Sequence, residues 1–211
     1  MRDILRTGAA GSNACDVSCS LPFHPMTSTR RKFVSQLTGT TPEAACATAL
    51  AEQLQALAVA RGVRVTTAES CTGGGVSAAI TAIAGSSSYF DAGYVTYSNA
   101  TKQRLLGVSE ASLEEFGAVS EAVVCEMVRG ACRESGAELG VAISGVAGPG
   151  GGSGEKPVGT VWLAWGSEAR QQARCCHFPG DRQAVRDAAV REALQGLIER
   201  VEALQIGTEH A

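Results

Sequence analysis

Lysine is scarce in this chain: Lys32, Lys102 and Lys156 stand against fifteen arginines. Surface cations are therefore mostly arginine, which stays protonated, whereas a lysine partly withdrawn from water can lose its proton and act as a base. Histidine is equally scarce. His24 and His210 fall in segments read as tails, so His177 is the one core candidate and a Ser-His-Asp triad has little support. Basic charge is not in excess: 18 basic against 21 acidic residues, net −3, create no field to hold nucleic acid or an anionic membrane. No apolar run approaches the ~20 residues that span a bilayer. The eight cysteines lack paired zinc-type spacing and lie mostly in apolar, Ala-rich stretches, which reads as small core residues of a reducing, cytoplasmic setting. No metal site and no cofactor is expected.

What is present suits one soluble domain with an appendage: 211 residues, 45% hydrophobic and 18% charged. Residues 1–41 are rich in Gly, Ser, Thr and Asn and show no period able to bury a face, so they read as a disordered extension. Within them Ser28 to Val34 has the look of a twin-arginine export signal, but the apolar stretch such a signal needs is interrupted from Ser35 to Glu43. Met26 is an alternative start. A domain over 42–205 and a short tail, 206–211, complete the expected organisation.

Along that domain the spacing predicts a helix from Pro42 to Arg61, a strand over 63–68, a helix over 73–84 and a strand over 93–98. Asn99 is a candidate cap for a helix carrying Lys102. A short acidic helix over 109–116 and an amphipathic one over 120–132 precede a strand over 139–146. A glycine-rich loop over 145–154, strands over 158–165 and 170–178 and a closing helix over 181–204 follow. Alternating helices and strands, with one strand pair joined by a short turn, predict an α/β domain, layered α/β/α around a mixed sheet.

The stretch Val63 to Ile80 concentrates the chemistry. An alternating β-branched run leads to Glu69-Ser70-Cys71-Thr72 and then to three glycines opening a helix, so Ser70 should sit where a strand hands over to a helix. Free N–H groups at such a turn stabilise an anion, a phosphate or a developing oxyanion. A hydroxyl there is a nucleophile, a phosphate ligand or an N-cap. Ser70 stands in neither a Gly-x-Ser-x-Gly elbow nor a Ser-x-x-Lys pair, so a base must come from elsewhere in the chain. Lys102, one helical turn after Asn99, is that base or an ordinary solvated helix lysine.

Six segments together closely resemble the CinA carboxy-terminal domain family, in order over about residues 43–204. They are Ala68 to Gly74, Ala84-Gly85-Ser86-Ser87, Val95 to Asn99 with Lys102, Gly117-Ala118-Val119-Ser120, Ser144 to Pro149, and Lys156 to Val161. The resemblance implies that family's fold. It also implies the activity of its stand-alone members, which deamidate nicotinamide mononucleotide to nicotinate mononucleotide and ammonia without a cofactor. Within it the catalytic set becomes Ser70 as nucleophile, Lys102 as base and Tyr97 as hydrogen-bonding or proton-relay partner.

The substrate contacts expected are Glu69, Thr72, Gly73, Gly74, Ser86, Ser87, Ser144, Gly145 and Arg182. Glu69 either orients the catalytic pair or caps the following helix. Cys71 is an alternative nucleophile or a packed thiol. Arg182 is expected to clamp a phosphate or a neighbouring subunit, and Arg186 on the same helical face reads as solvated. The expected partner is a small pyridine mononucleotide, the expected assembly a homo-oligomer of two or more chains, with neither nucleic acid nor membrane. The competing function is a catalytically silent nucleotide-binding regulatory module of the same fold, which has no need of a nucleophile and a titratable base together.

Overall fold

The computed structural model describes residues 46–204. The expectations for 1–41, for a helix opening at Pro42 and for 206–211 lie outside the described residues. In chain order the elements are α1 (Ala47–Arg61), β1 (Val65–Glu69), α2 (Gly75–Thr81), a 3-10 turn (Ser86–Ser88), β2 (Phe90–Val95), α3 (Asn99–Leu106) and α4 (Glu110–Phe116). After these come α5 (Glu121–Ser135), β3 (Leu139–Gly145), β4 (Thr160–Gly166), β5 (Gln171–His177) and α6 (Arg182–Ala203).

The five strands form one sheet in the order β2-β1-β3-β4-β5. β1 is parallel to β2 and β3, while β3, β4 and β5 run antiparallel. This is the mixed sheet that the strand spacing implies. Side chains alternate between its faces. Val65, Val141, Ile143, Val161, Leu163 and Trp165 meet α1, α2 and α6 through Leu54, Ile80, Leu194 and Leu197. The opposite face carries small residues, Ala68, Ala142 and Ala164, and packs against Leu106 of α3 and Val124, Met127 and Val128 of α5. Gly130 lets α5 approach α3 closely: a Cβ there would lie 2.0 Å from the Leu106 carbonyl oxygen.

Several boundaries differ from the sequence reading. The first strand starts at Val65, not Val63, because the Val63 amide is still bonded to Ala58 of α1. The second runs over Phe90–Val95, three residues early: the Thr96 amide still bonds the Glu69 carbonyl, but its own carbonyl accepts from Lys102, and Ser98, not Asn99, caps α3 by accepting from the Thr101 amide. α2 is shorter than expected, beginning at Gly75 after two glycines with positive φ, Gly73 and Gly74. Parallel β2, β1 and β3 end at one edge of the sheet, where Glu69 pairs with Val95 and with Ile143. The crevice beyond the carboxyl ends of such strands is where α/β folds bind ligands.

Candidate active site

Ser70 follows β1 directly, and its amide continues the ladder to the Ile143 carbonyl, so the backbone that carries the hydroxyl is held by the centre of the sheet. The chain then turns: the Gly73 amide bonds the Ser70 carbonyl and the Gly75 amide the Thr72 carbonyl. Lys102 comes to the same point from α3. Only 1% exposed, it places Nζ 3.1 Å from Ser70 Oγ and 2.7 Å from the Thr96 carbonyl oxygen. Burial pushes its pKa below the ordinary lysine value, opposed by the neighbouring Cys71 thiolate when that forms. A neutral amine suits both contacts, donating one N–H to the carbonyl and offering its lone pair to the serine O–H.

Glu69 is fully buried, and both its oxygens are committed to α2. Oε2 accepts from the amides of Gly74 and Val76, and Oε1 from the amide and hydroxyl of Ser77. Of the two roles open to it in the sequence, helix capping is the arrangement found, and no oxygen is left for a ligand. The amides of Gly73 and Gly74 are likewise taken, which removes two of the expected oxyanion or phosphate donors. Among the described residues, the amides of Cys71 and Thr72 donate to no oxygen, and both lie against the Cys71 sulfur, where they favour its thiolate. The Cys71 thiol is driven up to about 11, chiefly by burial, so it stays protonated at neutral pH beside Ser70.

A cleft of about 210 Å³ opens over this edge. Ser70, Cys71 and Lys102 line it together with Tyr97, Asn99 and Arg182 and with Ala118, Val119, Ser144, Gly145 and Ala147. Tyr97 is 62% exposed, and its hydroxyl accepts from Arg182 Nη2 at 3.1 Å, not from Lys102. Arg182 Nη1 also donates to the Gly148 carbonyl, tying α6 to the glycine-rich loop. Arg186, expected to be solvated, instead donates to the Thr72 carbonyl at 2.9 Å. Among the described residues neither arginine pairs with a carboxylate. A larger apolar groove of about 760 Å³ adjoins the cleft along Val119, but it contains neither Ser70 nor Lys102.

Two expected contacts are elsewhere. Ser86 and Ser87 precede β2, at the opposite end of the strand from Ser70, about six residues or ~20 Å away at strand rise. His177 is exposed on the edge strand β5 and does not line the cleft. Ser153 and Lys156 have Ser-x-x-Lys spacing but form no second pair: Ser153 Oγ accepts from the Lys156 amide, and Lys156 Nζ donates to the Phe116 carbonyl. Ala118, Val119 and Ala147 belong to segments that carry the family resemblance, yet their apolar side chains gave no chemical reason to place them at the site.

Residues 47–201 match the family model for the CinA C-terminal domain. The chain belongs to the CinA C-terminal domain family. Within this family, it is 55% identical over 168 residues to the nicotinamide-nucleotide amidohydrolase PncC of Pseudomonas putida, covering 80% of this chain and 99% of that one. It is 54% identical over 151 residues to the protein of the same name from Escherichia coli K12, covering 70% and 90%. The crystal structure of competence damage-inducible protein A from Klebsiella pneumoniae superposes with a TM-score of 0.74 at 40% identity, covering 76% of this chain and all of that one.

Proposed function

We propose that this protein is a nicotinamide-nucleotide amidohydrolase that converts nicotinamide mononucleotide to nicotinate mononucleotide and ammonia. The relatives' names supply the substrate, and the observation that supports the chemistry is the buried Lys102 amine 3.1 Å from Ser70 Oγ. Ser70 Oγ attacks the carboxamide carbon while Lys102 Nζ takes its proton. The same amine returns that proton to the leaving nitrogen, so ammonia departs and Ser70 is left acylated. Water then attacks the acyl carbon and gives one proton to Lys102, which passes it to the departing Ser70 Oγ; the acid released loses its remaining proton to solvent and leaves as the carboxylate. The amides of Cys71 and Thr72 stabilise the tetrahedral oxyanion.

Arg182, which lines the cleft, supplies positive charge for the substrate phosphate, with Tyr97 hydrogen-bonded to it. Ser144 and Gly145 shape the cleft around ribose and ring, whereas Thr72 is fully buried and does not line it. Residues 42–205 constitute the working unit, in the cytoplasm and as a homo-oligomer of two or more chains. Free cysteines support the first setting, and the exposed Val95 and Tyr97 on and beside edge strand β2 support the second. Ammonia release from nicotinamide mononucleotide by the purified protein, lost in Ser70→Ala, tests the reaction. Binding of the mononucleotide without any ammonia release would instead identify a silent regulatory module.

A further inference from the structure

Glu69 is a carboxylate at the end of the inner strand β1, fully buried, one residue before the nucleophile, and among the described residues it pairs with no cation. Removing such an ion from water costs several kcal/mol unless strong hydrogen bonds offset it. Four donors converge on it: three amides and the Ser77 hydroxyl, at 2.7–3.1 Å. Only an acceptor-only group satisfies four converging donors. A glutamine would turn its NH₂ toward N–H groups and leave donors unpaired. The side chain at this position is therefore specified by the turn after Ser70 and not by the strand that carries it.

The turn has a matching second restraint. Arg186 holds the Thr72 carbonyl from α6, and Ser77 Oγ lies 2.7 Å from Thr67 Oγ1 on β1. With Gly74, Val76 and Ser77 amides bound inward and the Thr72 carbonyl bound outward, the Cys71 and Thr72 amides are the N–H groups of the segment left without an oxygen acceptor. We propose that Glu69 is a positioning residue for the hydrolysis. By clamping the start of α2 it fixes the Ser70–Gly75 turn in the one conformation that keeps Ser70 Oγ on Lys102 and leaves the Cys71 and Thr72 amides, which lie against the Cys71 sulfur, with no oxygen acceptor of their own and so available to the oxyanion. It acts through these groups and does not meet the substrate. The inference rests on the amidohydrolase reading.

The test compares Glu69→Gln with the unaltered protein in turnover of nicotinamide mononucleotide and in affinity for phenylboronate. Boron accepts an electron pair from Ser70 Oγ to form a tetrahedral adduct, the serine proton passing to Lys102, so boronate affinity reads serine placement and oxyanion donors even without turnover. A kcat lowered at least 100-fold with KM within about threefold, and boronate affinity lowered in parallel, are expected. A folded Glu69→Gln protein with near-normal kcat and boronate affinity would overturn the inference. Should Glu69→Gln not fold, Ser77→Ala, which deletes one of the four donors, decides between several-fold weaker boronate binding and no change, the latter refuting the role. Absence of turnover in the unaltered protein, with tight boronate binding, would count against the substrate and leave the positioning role standing.

Discussion

Lys102 reaches Ser70 only because its whole side chain is withdrawn from water, and that withdrawal has consequences for both rate and stability. Arginine keeps the charge but cannot accept a proton at working pH, so Lys102→Arg should lose about 10²–10⁴-fold in kcat, nearly as much as Lys102→Ala. The Ser70→Ala, Lys102→Ala double variant should be little worse than either single, because residues that act as one unit are not additive. Near-normal turnover in Lys102→Arg would leave the lysine a contact residue and require another base. Since burial lowers the lysine pKa, the profile of kcat/KM against pH should show an ionisation below ~10.4, the value for a free lysine.

Stability should move the other way. Between the lowered folded value and the ordinary one, the unfolded chain binds a proton that the folded chain does not, so this residue's contribution to stability rises with pH across that window. Lys102→Met keeps the length without the amine. It should therefore melt above the unaltered protein near neutral pH, with an advantage that shrinks as pH climbs toward the ordinary lysine value. Thermal melts at two pH values check this, and a constant difference would contradict it.

At the scale of elements, α3 carries the base and α5 holds α3 in place. The contact at Gly130 leaves no room for a methyl group against the Leu106 main chain. Gly130→Ala should destabilise by about 1–3 kcal/mol through overpacking, despite alanine's better helix propensity. By displacing α3 it should also depress kcat, since a misplacement of ~1 Å can cost 10²-fold. A denaturant midpoint and a turnover assay on the same preparation measure both.

The elements themselves were largely legible in advance. Alternation marked the strands, Gly62 ended the first helix and Ser120 began the amphipathic one, because these signals act within a few residues of chain; the end of that helix, expected at residue 132, lies at Ser135. Partners across the fold were not legible. Nothing local to Thr96 says that its carbonyl will accept a hydrogen bond from Lys102, or that Arg186 will reach back to Thr72. Ser86 and Ser87 were misplaced for a related reason: a motif names residue types but not the end of a strand at which they emerge. The Ser70–Lys102 pairing was found through a resemblance and a scarcity of lysine, not through any spacing between positions 70 and 102.

For the molecule as a whole, the described residues contain no cluster of three or more His, Cys, Asp or Glu able to hold a metal ion. Turnover of nicotinamide mononucleotide should accordingly persist after exhaustive chelation, and a loss restored by one metal would refute that expectation. The two tryptophans sit three apart on β4 and so face opposite layers. Trp165 is buried against Gly196 of α6, its indole N–H bonded to Ala193 and its ring flanked by the guanidinium groups of Arg174 and Arg200 at 5.6 and 4.9 Å. Trp162 is half-buried and lines the groove beside the cleft. Each side of the sheet thus carries its own fluorophore. A soluble quencher such as iodide should dim Trp162 and spare Trp165, and replacing either ring with phenylalanine would let the loosening of the two helical layers be followed separately by light.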